Sequence, residues 1–234
     1  MTTLAVVVPA LNEAATISAV VESCLPLGAT VIVVDDGSTD DTARLARAAG
    51  ADVLRLPFNL GVGAAVRIGL LRARQLGATE VLVIDADGQH DPAQAHALLD
   101  PIRAGRCDIV VGSRFAAGYR VGPARRLFMR GFARLASRRL GTTITDATSG
   151  FRAFGAKALE VLPERYPTEY LSDTVETLLI AAELGLRVEE VPVVMHLRQG
   201  GRPSNGSVAS AYHLSRMATV LLSQLLGLSG RRSE

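Results

Sequence analysis

The chain contains the run Val81-Leu82-Val83-Ile84-Asp85-Ala86-Asp87-Gly88-Gln89-His90-Asp91-Pro92, from which its architecture can be inferred. Four consecutive apolar residues indicate a strand buried on both faces, as in a parallel sheet covered by helices. Open α/β sheets bind ligands at the carboxyl ends of their strands. Because side chains alternate along a strand, Asp85 and Asp87 can point the same way, and Gln89 adds a third oxygen donor. Such hard oxygen ligands suit Mg²⁺ or Mn²⁺.

The same segment also allows a purely structural interpretation, in which it is a solvated turn before a helix. Asp91 would then be the N-cap and Pro92 the first helical residue, and we expect this role for Asp91. An EF-hand loop that starts at Asp85 is excluded, because His90 and His96 stand where Gly and Glu are required. An aspartate pair alone is a weak signal, so its interpretation depends on the rest of the chain.

The composition is that of a globular protein, with 234 residues, 48% hydrophobic residues and a net charge of +2. The length suffices for one large α/β domain or two small ones. Cys24 and Cys107 have neither metal-site spacing nor a disulfide framework, which indicates a reducing cytoplasm. Residues 1–10 lack a signal peptide, and the apolar stretch 217–228 is about half a membrane span long, so we expect no segment to cross a bilayer.

The charges are unevenly distributed, because no acidic residue but eight arginines occur from position 114 to position 145. Arg126, Arg130, Arg134 and Arg138 recur every fourth residue and would form one stripe along a helix. A basic amphipathic helix of this type can lie on an anionic membrane surface. The alternative is a solvated helix whose arginines pair with acids elsewhere. We do not expect nucleic-acid binding, because the protein is nearly neutral and no reading motif accompanies the stripe.

The first half of the chain alternates strand and helix patterns at the intervals of βαβ units. This predicts a single α/β domain with a mostly parallel central sheet and helices on both faces. Predicted strands are 4–8, 30–34, 52–56, 81–84, 108–111 and 187–195, and predicted helices are 13–24, 40–49, 62–76, 93–104, 124–140, 174–184 and 207–226. We expect a domain at 1–206, with a nucleotide-type half at 1–112 and an acceptor-type half at 113–206, and a C-terminal amphipathic helix and tail at 207–234.

Polar or special residues follow four of the predicted strands, whose carboxyl ends would converge at one sheet edge. They are Pro9-Ala10-Leu11-Asn12-Glu13, Asp35-Asp36-Gly37-Ser38-Thr39-Asp40, Asn59-Leu60-Gly61-Val62-Gly63 and the Asp85/Asp87 pair. Any single one could cap a helix, but four in one α/β half predict a pocket. A dinucleotide fingerprint does not fit, because Val66 replaces the third glycine and the loop follows the third strand.

In this order, six motifs resemble family 2 glycosyltransferases of the GT-A fold: V-V-V-P-A-L-N-E, V-V-D-D-G-S-T-D, N-L-G-V-G-A-A-V-R, D-A-D-G-Q-H-D, V-G-S-R-F and T-S-G-F-R-A-F. The branch most similar to them is that of the dolichyl- and polyprenyl-phosphate sugar transferases, and the resemblance covers roughly residues 4–206. It implies an inverting transfer from a UDP- or GDP-linked sugar, with Mg²⁺ or Mn²⁺ bound to the diphosphate.

The resemblance also implies which residues form the site. For nucleotide-sugar binding they are Pro9, Ala10, Leu11, Glu13, Val34, Asp36, Asn59, Gly63, Asp85, Ala86, Asp87, Arg198, Arg202 and Ser204, and for the metal Asp85, Asp87 and Gln89. The loop at 199–206 and the adjoining Arg198 correspond to a flexible segment that closes over the donor in this family. Arg114 matches an arginine near the donor or acceptor phosphate, and Asp146 precedes a segment that faces the reaction centre.

The chemistry of transfer agrees with these assignments. Negative charge develops on the leaving diphosphate, and a metal and arginines stabilise it. A lipid phosphate acceptor is already an anion, whereas a hydroxyl acceptor needs a base, for which Asp146 is the candidate. The structural alternative for Asp146 is a turn or cap before Thr148. His196 stands where some related enzymes have a metal-binding histidine, but its surroundings are similar to the branch without that ligand. We expect the others, His90, His96 and His213, to be surface or satisfied polar residues.

The leading hypothesis is therefore a glycosyltransferase that uses polyprenyl phosphate at the inner face of the cytoplasmic membrane, in peripheral contact with anionic lipid. The second keeps the donor but uses a soluble or protein-bound hydroxyl acceptor. A nucleotidyltransferase is disfavoured because residues 9–13 do not form the Gly-rich loop that those enzymes carry after the first strand. An inactive binding module is disfavoured because the aspartate pair and the arginines are retained. The helix at 207–226 could add apolar membrane contact or form the seam of a homodimer.

Overall fold

The computed structural model describes residues 3–115, 123–168 and 173–196, without the side chains of residues 123–128. Several predictions lie outside the described residues: the loop at 199–206, the roles of Arg198, Arg202 and Ser204, and the helix at 207–226 with its membrane or dimer contacts. The Arg126 side chain is likewise not described.

A seven-stranded sheet forms the centre of the fold, in the order β3-β2-β1-β4-β6-β5-β7. Its strands are β1 (Leu4–Ala10), β2 (Thr30–Asp35), β3 (Asp52–Arg55), β4 (Glu80–Val83), β5 (Ile109–Ser113), β6 (Arg152–Gly155) and β7 (Val188–Pro192). All pairings are parallel except those of β6, which is antiparallel to both of its neighbours. The prediction of a mostly parallel sheet is confirmed.

Helices cover the sheet on both faces. Successive side chains of β1 point to opposite sides, and each side packs against helices. They are α1 (Ile17–Cys24), α2 (Thr42–Ala48), α3 (Val62–Gln75), α4 (Ala95–Arg103), α5 (Pro123–Leu140), α6 (Ala156–Val161) and α7 (Asp173–Glu183). Val6 and Val8 belong to the core cluster that includes residues of α1 and α4. Val7 faces α3 so closely that a Cβ on Gly69 would collide with its Cγ1 atom. Gly69 thus allows α3 to pack closely against the sheet at Val7.

The predicted elements of the first half are confirmed with shifts of a few residues at their ends. The structure adds β6 and α6, which the sequence analysis left as irregular chain. β6 has only four residues and begins with the charged, buried Arg152. A segment this short, with a charged end, shows no periodicity that would indicate a strand. Within the described ranges, no helix combines the length and the apolar character that spanning a bilayer would require.

Candidate active site

The predicted convergence of strand ends is confirmed for β1 to β4, because β2 also pairs in parallel with β3. β1 pairs in parallel with β2 on one side and with β4 on the other. The segments that follow these strands therefore leave the sheet at one edge. The Thr16 hydroxyl links two of them, since it donates to the Ala86 carbonyl over 2.7 Å and also lies 3.2 Å from Glu13 Oε2. The turn after β1 and the aspartate motif are thus neighbours in the fold.

The turns after β1 and β2 are joined by hydrogen bonds through Asn12. Its backbone N–H donates to Ser38 Oγ over 2.8 Å, and its side-chain oxygen accepts from the Thr39 N–H over 2.9 Å. Asn12 has a φ of 54°, a left-handed conformation that asparagine tolerates better than most residues. The sequence analysis allowed a capping role for any one of these segments; in the structure Asn12 connects two loops.

Asp36 holds the loop after β3 against the same edge. Its two carboxylate oxygens accept the backbone N–H groups of Leu60 and Gly61 over 2.7 and 2.8 Å. Burial raises the pKa of Asp36, and these two hydrogen bonds oppose the rise. The backbones are so close here that a Cβ on Gly37, at a φ of +77°, would lie 2.7 Å from the Phe58 carbonyl carbon. Glycine is therefore required at this position.

The residues predicted to contact the nucleotide differ in how much surface they offer. Leu11 is partly exposed and Asn59 is exposed, whereas Pro9, Ala10, Glu13, Ala86 and Gly63 are buried. Val34 is completely enclosed in β2, so it can support the floor of a pocket but presents no surface to a ligand. Asp36 is also buried, with its oxygens already bound to the loop at 60–61.

The aspartate motif directly follows β4, whose four residues are all buried as predicted. The Asp85 side chain is 40% exposed, whereas Asp87 is buried and its Oδ1 atom accepts the Gln89 N–H over 3.0 Å. Asp91 caps the short 3₁₀ turn Pro92–Gln94, since its side chain accepts the Ala93 N–H over 2.9 Å. The capping role predicted for Asp91 is confirmed.

The motif has the donor chemistry and the space that a divalent cation needs. A Cβ on Gly150 would lie 3.3 Å from Asp85 Oδ1, so the glycine keeps room beside this carboxylate. Gln89 turns its amide nitrogen towards the His196 carbonyl at 3.4 Å, which leaves its amide oxygen for other partners. Among the described residues, no group of three or more His, Cys, Asp or Glu could hold a metal. Two carboxylates alone suit Mg²⁺, which typically takes further ligands from water and substrate phosphates.

The segment after β7 is attached to the aspartate motif. His90 and Met195 form an isolated antiparallel bridge, and the His196 N–H donates to the Gln89 carbonyl over 2.9 Å. The side chain of His196 is 53% exposed, with Nε2 at 3.6 Å from Asp91 Oδ2. In this structure His196 therefore faces the capping aspartate.

Arg114 and Asp146 form a buried ion pair on the acceptor side. Arg114 Nε donates to Asp146 Oδ2 over 2.7 Å, and its Nη2 atom donates to Oδ1 over 2.9 Å. Nη2 also lies 2.9 Å from Thr148 Oγ1. The carboxylate is fully buried and 18% of the arginine side chain is exposed. Burial opposes ionisation of Asp146, but the bonds from Arg114 outweigh it and lower the pKa. The aspartate thus stays charged and fixes the guanidinium.

Sequence reasoning missed two residues that build this region. Glu190 of β7 accepts the backbone N–H groups of Thr145 and Asp146 over 2.6 and 2.8 Å and so fixes the turn that carries Asp146. Arg152 is buried and donates to the carbonyls of Ser149 and Ala147 over 2.8 and 3.0 Å. Arg152 stands within the T-S-G-F-R motif, but no local pattern could reveal its contacts or that of Glu190.

Asp173 and Arg152 are further buried charged residues in this part of the fold. Burial raises the pKa of Asp173, at the start of α7, to about 6, although the nearby Arg152 favours its charged form. The charge of Asp85 contributes to the same rise. Desolvation in turn lowers the pKa of Arg152. The charge of Asp85 therefore acts on the buried Asp173.

The sequence model of glycosyl transferase family 2 matches residues 5–162. The chain belongs to glycosyl transferase family 2. This family 2 glycosyltransferase is 30% identical to UDP-N-acetylglucosamine–dolichyl-phosphate N-acetylglucosaminyltransferase of Methanococcus voltae, over 80% of this chain and 83% of that protein. It is 34% identical to polyprenol monophosphomannose synthase of Mycolicibacterium smegmatis, over 73% of this chain and 68% of that protein.

A solved structure of similar fold is glucosyl-3-phosphoglycerate synthase from Mycobacterium tuberculosis, in complex with Mn²⁺, UDP and glucosyl-3-phosphoglycerate. The TM-score is 0.72 at 26% sequence identity, and the match covers 100% of this chain and 82% of that chain. The predicted GT-A fold and the resemblance to polyprenyl-phosphate sugar transferases are confirmed, and the enzyme class is that of a hexosyltransferase. Family membership also removes the nucleotidyltransferase interpretation.

Proposed function

We propose that this glycosyltransferase moves a hexose, with inversion, from a UDP- or GDP-sugar to a polyprenyl phosphate, using Mg²⁺ or Mn²⁺. The observation that carries the proposal is the placement of Asp85 and Asp87 at the carboxyl end of β4, next to the turn after β1 that Thr16 connects to them. On this proposal the nucleotide lies over the turns after β1, β2 and β3, and its diphosphate lies at the aspartate motif. A bound cation would neutralise charge on the leaving diphosphate.

The roles of the chain's own residues follow from their contacts. Asp85, Asp87 and the amide oxygen of Gln89 are the proposed cation ligands, and Asp36 shapes the base pocket through the loop at 60–61. We propose that Arg114 stabilises phosphate charge in the reaction, because its guanidinium is held in a fixed orientation and partly exposed. Asp146 is proposed as a positioning residue rather than a base, since both of its oxygens are bound to Arg114.

A phosphate acceptor fits this reassignment of Asp146. A phosphate oxygen is already negatively charged at neutral pH and attacks without losing a proton to the protein. The names of the two curated relatives include dolichyl phosphate and a polyprenol monophosphate product. The solved neighbour is bound to glucosyl-3-phosphoglycerate, a soluble product whose phosphate is a substituent, so a soluble hydroxyl acceptor that carries a phosphate is the second candidate. Both candidates present an anion to Arg114.

The proposal is tested by direct assay of transfer. Radiolabelled UDP- and GDP-hexoses are offered with Mn²⁺ and either undecaprenyl phosphate in detergent or 3-phosphoglycerate in buffer. We expect label to enter the organic phase with one nucleotide sugar only, and to require Mn²⁺. Label that appears only in a water-soluble product would favour the second candidate. Transfer that persists in excess chelator would contradict the role of the metal.

We propose the basic face of α5 as the membrane contact, and with it a reaction at the cytoplasmic face of the membrane. Arg130, Arg134 and Arg138 are exposed, and no ion pair joins them to an acid within residues 3–115, 123–168 and 173–196. Phe132 is buried, and α5 packs against α7. The apolar side of the helix is therefore used by the core, and the expected attraction is electrostatic.

Replacing Arg130, Arg134 and Arg138 together by glutamine should weaken binding to anionic liposomes. Each arginine near such a surface contributes about 1 kcal/mol, so the loss should be roughly a hundredfold in partitioning. Co-sedimentation with anionic and neutral liposomes at low and high salt measures it, because salt screens this attraction. A triple variant that sediments like the wild type would contradict the contact. Arg44→Gln, an exposed arginine on α2, is the control for loss of charge.

A further inference from the structure

We propose that His90 is a positioning residue that orients Asp85 for the divalent cation. This inference rests on the proposed function, because it concerns the same carboxylate. His90 lies three residues after Asp87 and directly after Gln89, and its own side chain is only 2% exposed. A buried histidine at the edge of a ligand site must have partners for its ring nitrogens.

One ring nitrogen of His90 fixes the backbone of the motif. The Asp85 N–H donates to His90 Nδ1 over 3.0 Å, which closes a loop with four residues between them. Because Nδ1 accepts a hydrogen bond, the ring hydrogen of the neutral imidazole is on Nε2. This contact determines where the main chain of Asp85 leaves the end of β4.

The other ring nitrogen faces the carboxylate of the same residue. His90 Nε2 lies 3.5 Å from Asp85 Oδ2, too far for a strong hydrogen bond but close enough for an N–H to attract a carboxylate. One imidazole thus contacts both the backbone and the side chain of Asp85. Such second contacts, which hold a ligand carboxylate in one orientation, commonly tune a metal site.

Packing holds the imidazole itself in place. The ring stacks on Phe151 with centroids 4.7 Å apart and planes 13° from parallel. Phe151 is completely buried and directly follows Gly150, the residue that leaves room beside Asp85. The turn before β6 therefore supports the imidazole through Phe151 and leaves space beside the Asp85 carboxylate through Gly150. His90 contacts both Phe151 and Asp85.

Three substitutions separate positioning from simple packing. His90→Phe keeps a ring that can stack on Phe151 but removes both nitrogen contacts. His90→Asn places an amide oxygen near Nδ1, and His90→Gln places an amide nitrogen near Nε2, so each retains one contact. His96→Asn, an exposed histidine on α4, is the matched control.

The readout is Mn²⁺ affinity, measured from the electron paramagnetic resonance signal of free Mn²⁺ with the full chain alone, with UDP and with GDP. We expect His90→Phe to bind Mn²⁺ about 10- to 100-fold more weakly, as for other lost contacts to metal ligands. His90→Asn and His90→Gln should fall between it and the wild type, and His96→Asn should match the wild type. Thermal unfolding of each variant reports on the fold separately.

The outcomes distinguish this inference from the function on which it rests. If the wild type binds Mn²⁺ and His90→Phe binds it equally well, the positioning role is wrong and the proposed function stands. If the wild type binds no Mn²⁺ with either nucleotide, both the metal dependence and the role of His90 are overturned. Should His90→Phe not fold, the other two variants decide, and equal affinity of both with the wild type would refute the inference.

Discussion

Replacing Asp87 by alanine is expected to lower kcat/KM for sugar transfer by about a thousandfold or more. The reason is the proposed loss of the cation that neutralises the leaving diphosphate. Such charge stabilisation is worth several kcal/mol, and about 4 kcal/mol corresponds to a thousandfold in rate. Calorimetric titration of UDP and GDP, with and without Mn²⁺, should show that the variant has lost the part of its affinity that depends on Mn²⁺.

Asp91→Ser is the matched control for this prediction. It removes a carboxylate four residues away in the same loop but leaves an oxygen that can cap the turn Pro92–Gln94. We expect it to retain the Mn²⁺ dependence of the wild type and most of the activity. If Asp87→Ala keeps a wild-type dependence on Mn²⁺, the aspartate motif is not the cation site.

Arg114→Ala should destabilise the protein as well as inactivate it. The substitution leaves the fully buried Asp146 carboxylate without its main partner, and breaking a buried pair in this way costs about 3–5 kcal/mol. Urea unfolding at neutral pH measures this loss. Arg114→Lys keeps the charge but cannot donate to both oxygens in the same way, so its stability should be intermediate. Arg139→Ala, an exposed arginine near the end of α5, should change stability little.

The stability that Asp146 contributes should disappear in acid. Its pKa is lowered in the folded protein, so the contribution is complete above the unfolded value of about 4 and is lost as the pH falls through the folded value. Asp146→Asn should therefore be less stable than the wild type at pH 7, and the difference should shrink below pH 4. A difference that is constant across this range would contradict the ion pair.

Activity of Asp146→Asn separates the two roles considered for this residue. As a positioning residue, Asp146 can be replaced by an asparagine whose oxygen still contacts Arg114, and part of the activity should remain. As a base towards a hydroxyl acceptor, it could not be replaced without near-complete loss. The sequence analysis kept both roles open, because the ion pair depends on where the end of β5 lies relative to the turn before β6. No pattern within either segment specifies that distance.

The sequence was most informative where structure is determined locally. Runs such as Val31–Val34 indicated buried parallel strands, and Asp91-Pro92 indicated a cap, because both signals depend on residues next to each other. It was least informative at β6, whose pairing with β4 and β5 is antiparallel and non-local. His90 shows the same limit. Its place in the chain suggested a satisfied polar residue, which is correct, but the contacts with Asp85 required the fold.

The position of β6 also limits how the enzyme can move. The strand belongs to the acceptor half but is hydrogen-bonded on both sides to strands of the nucleotide half, β4 and β5, and its residues are buried. The predicted boundary at residue 112 therefore falls within a continuous sheet and cannot act as a hinge between two lobes. On the proposed function, donor and acceptor would therefore bind to one continuous sheet rather than to two separate lobes.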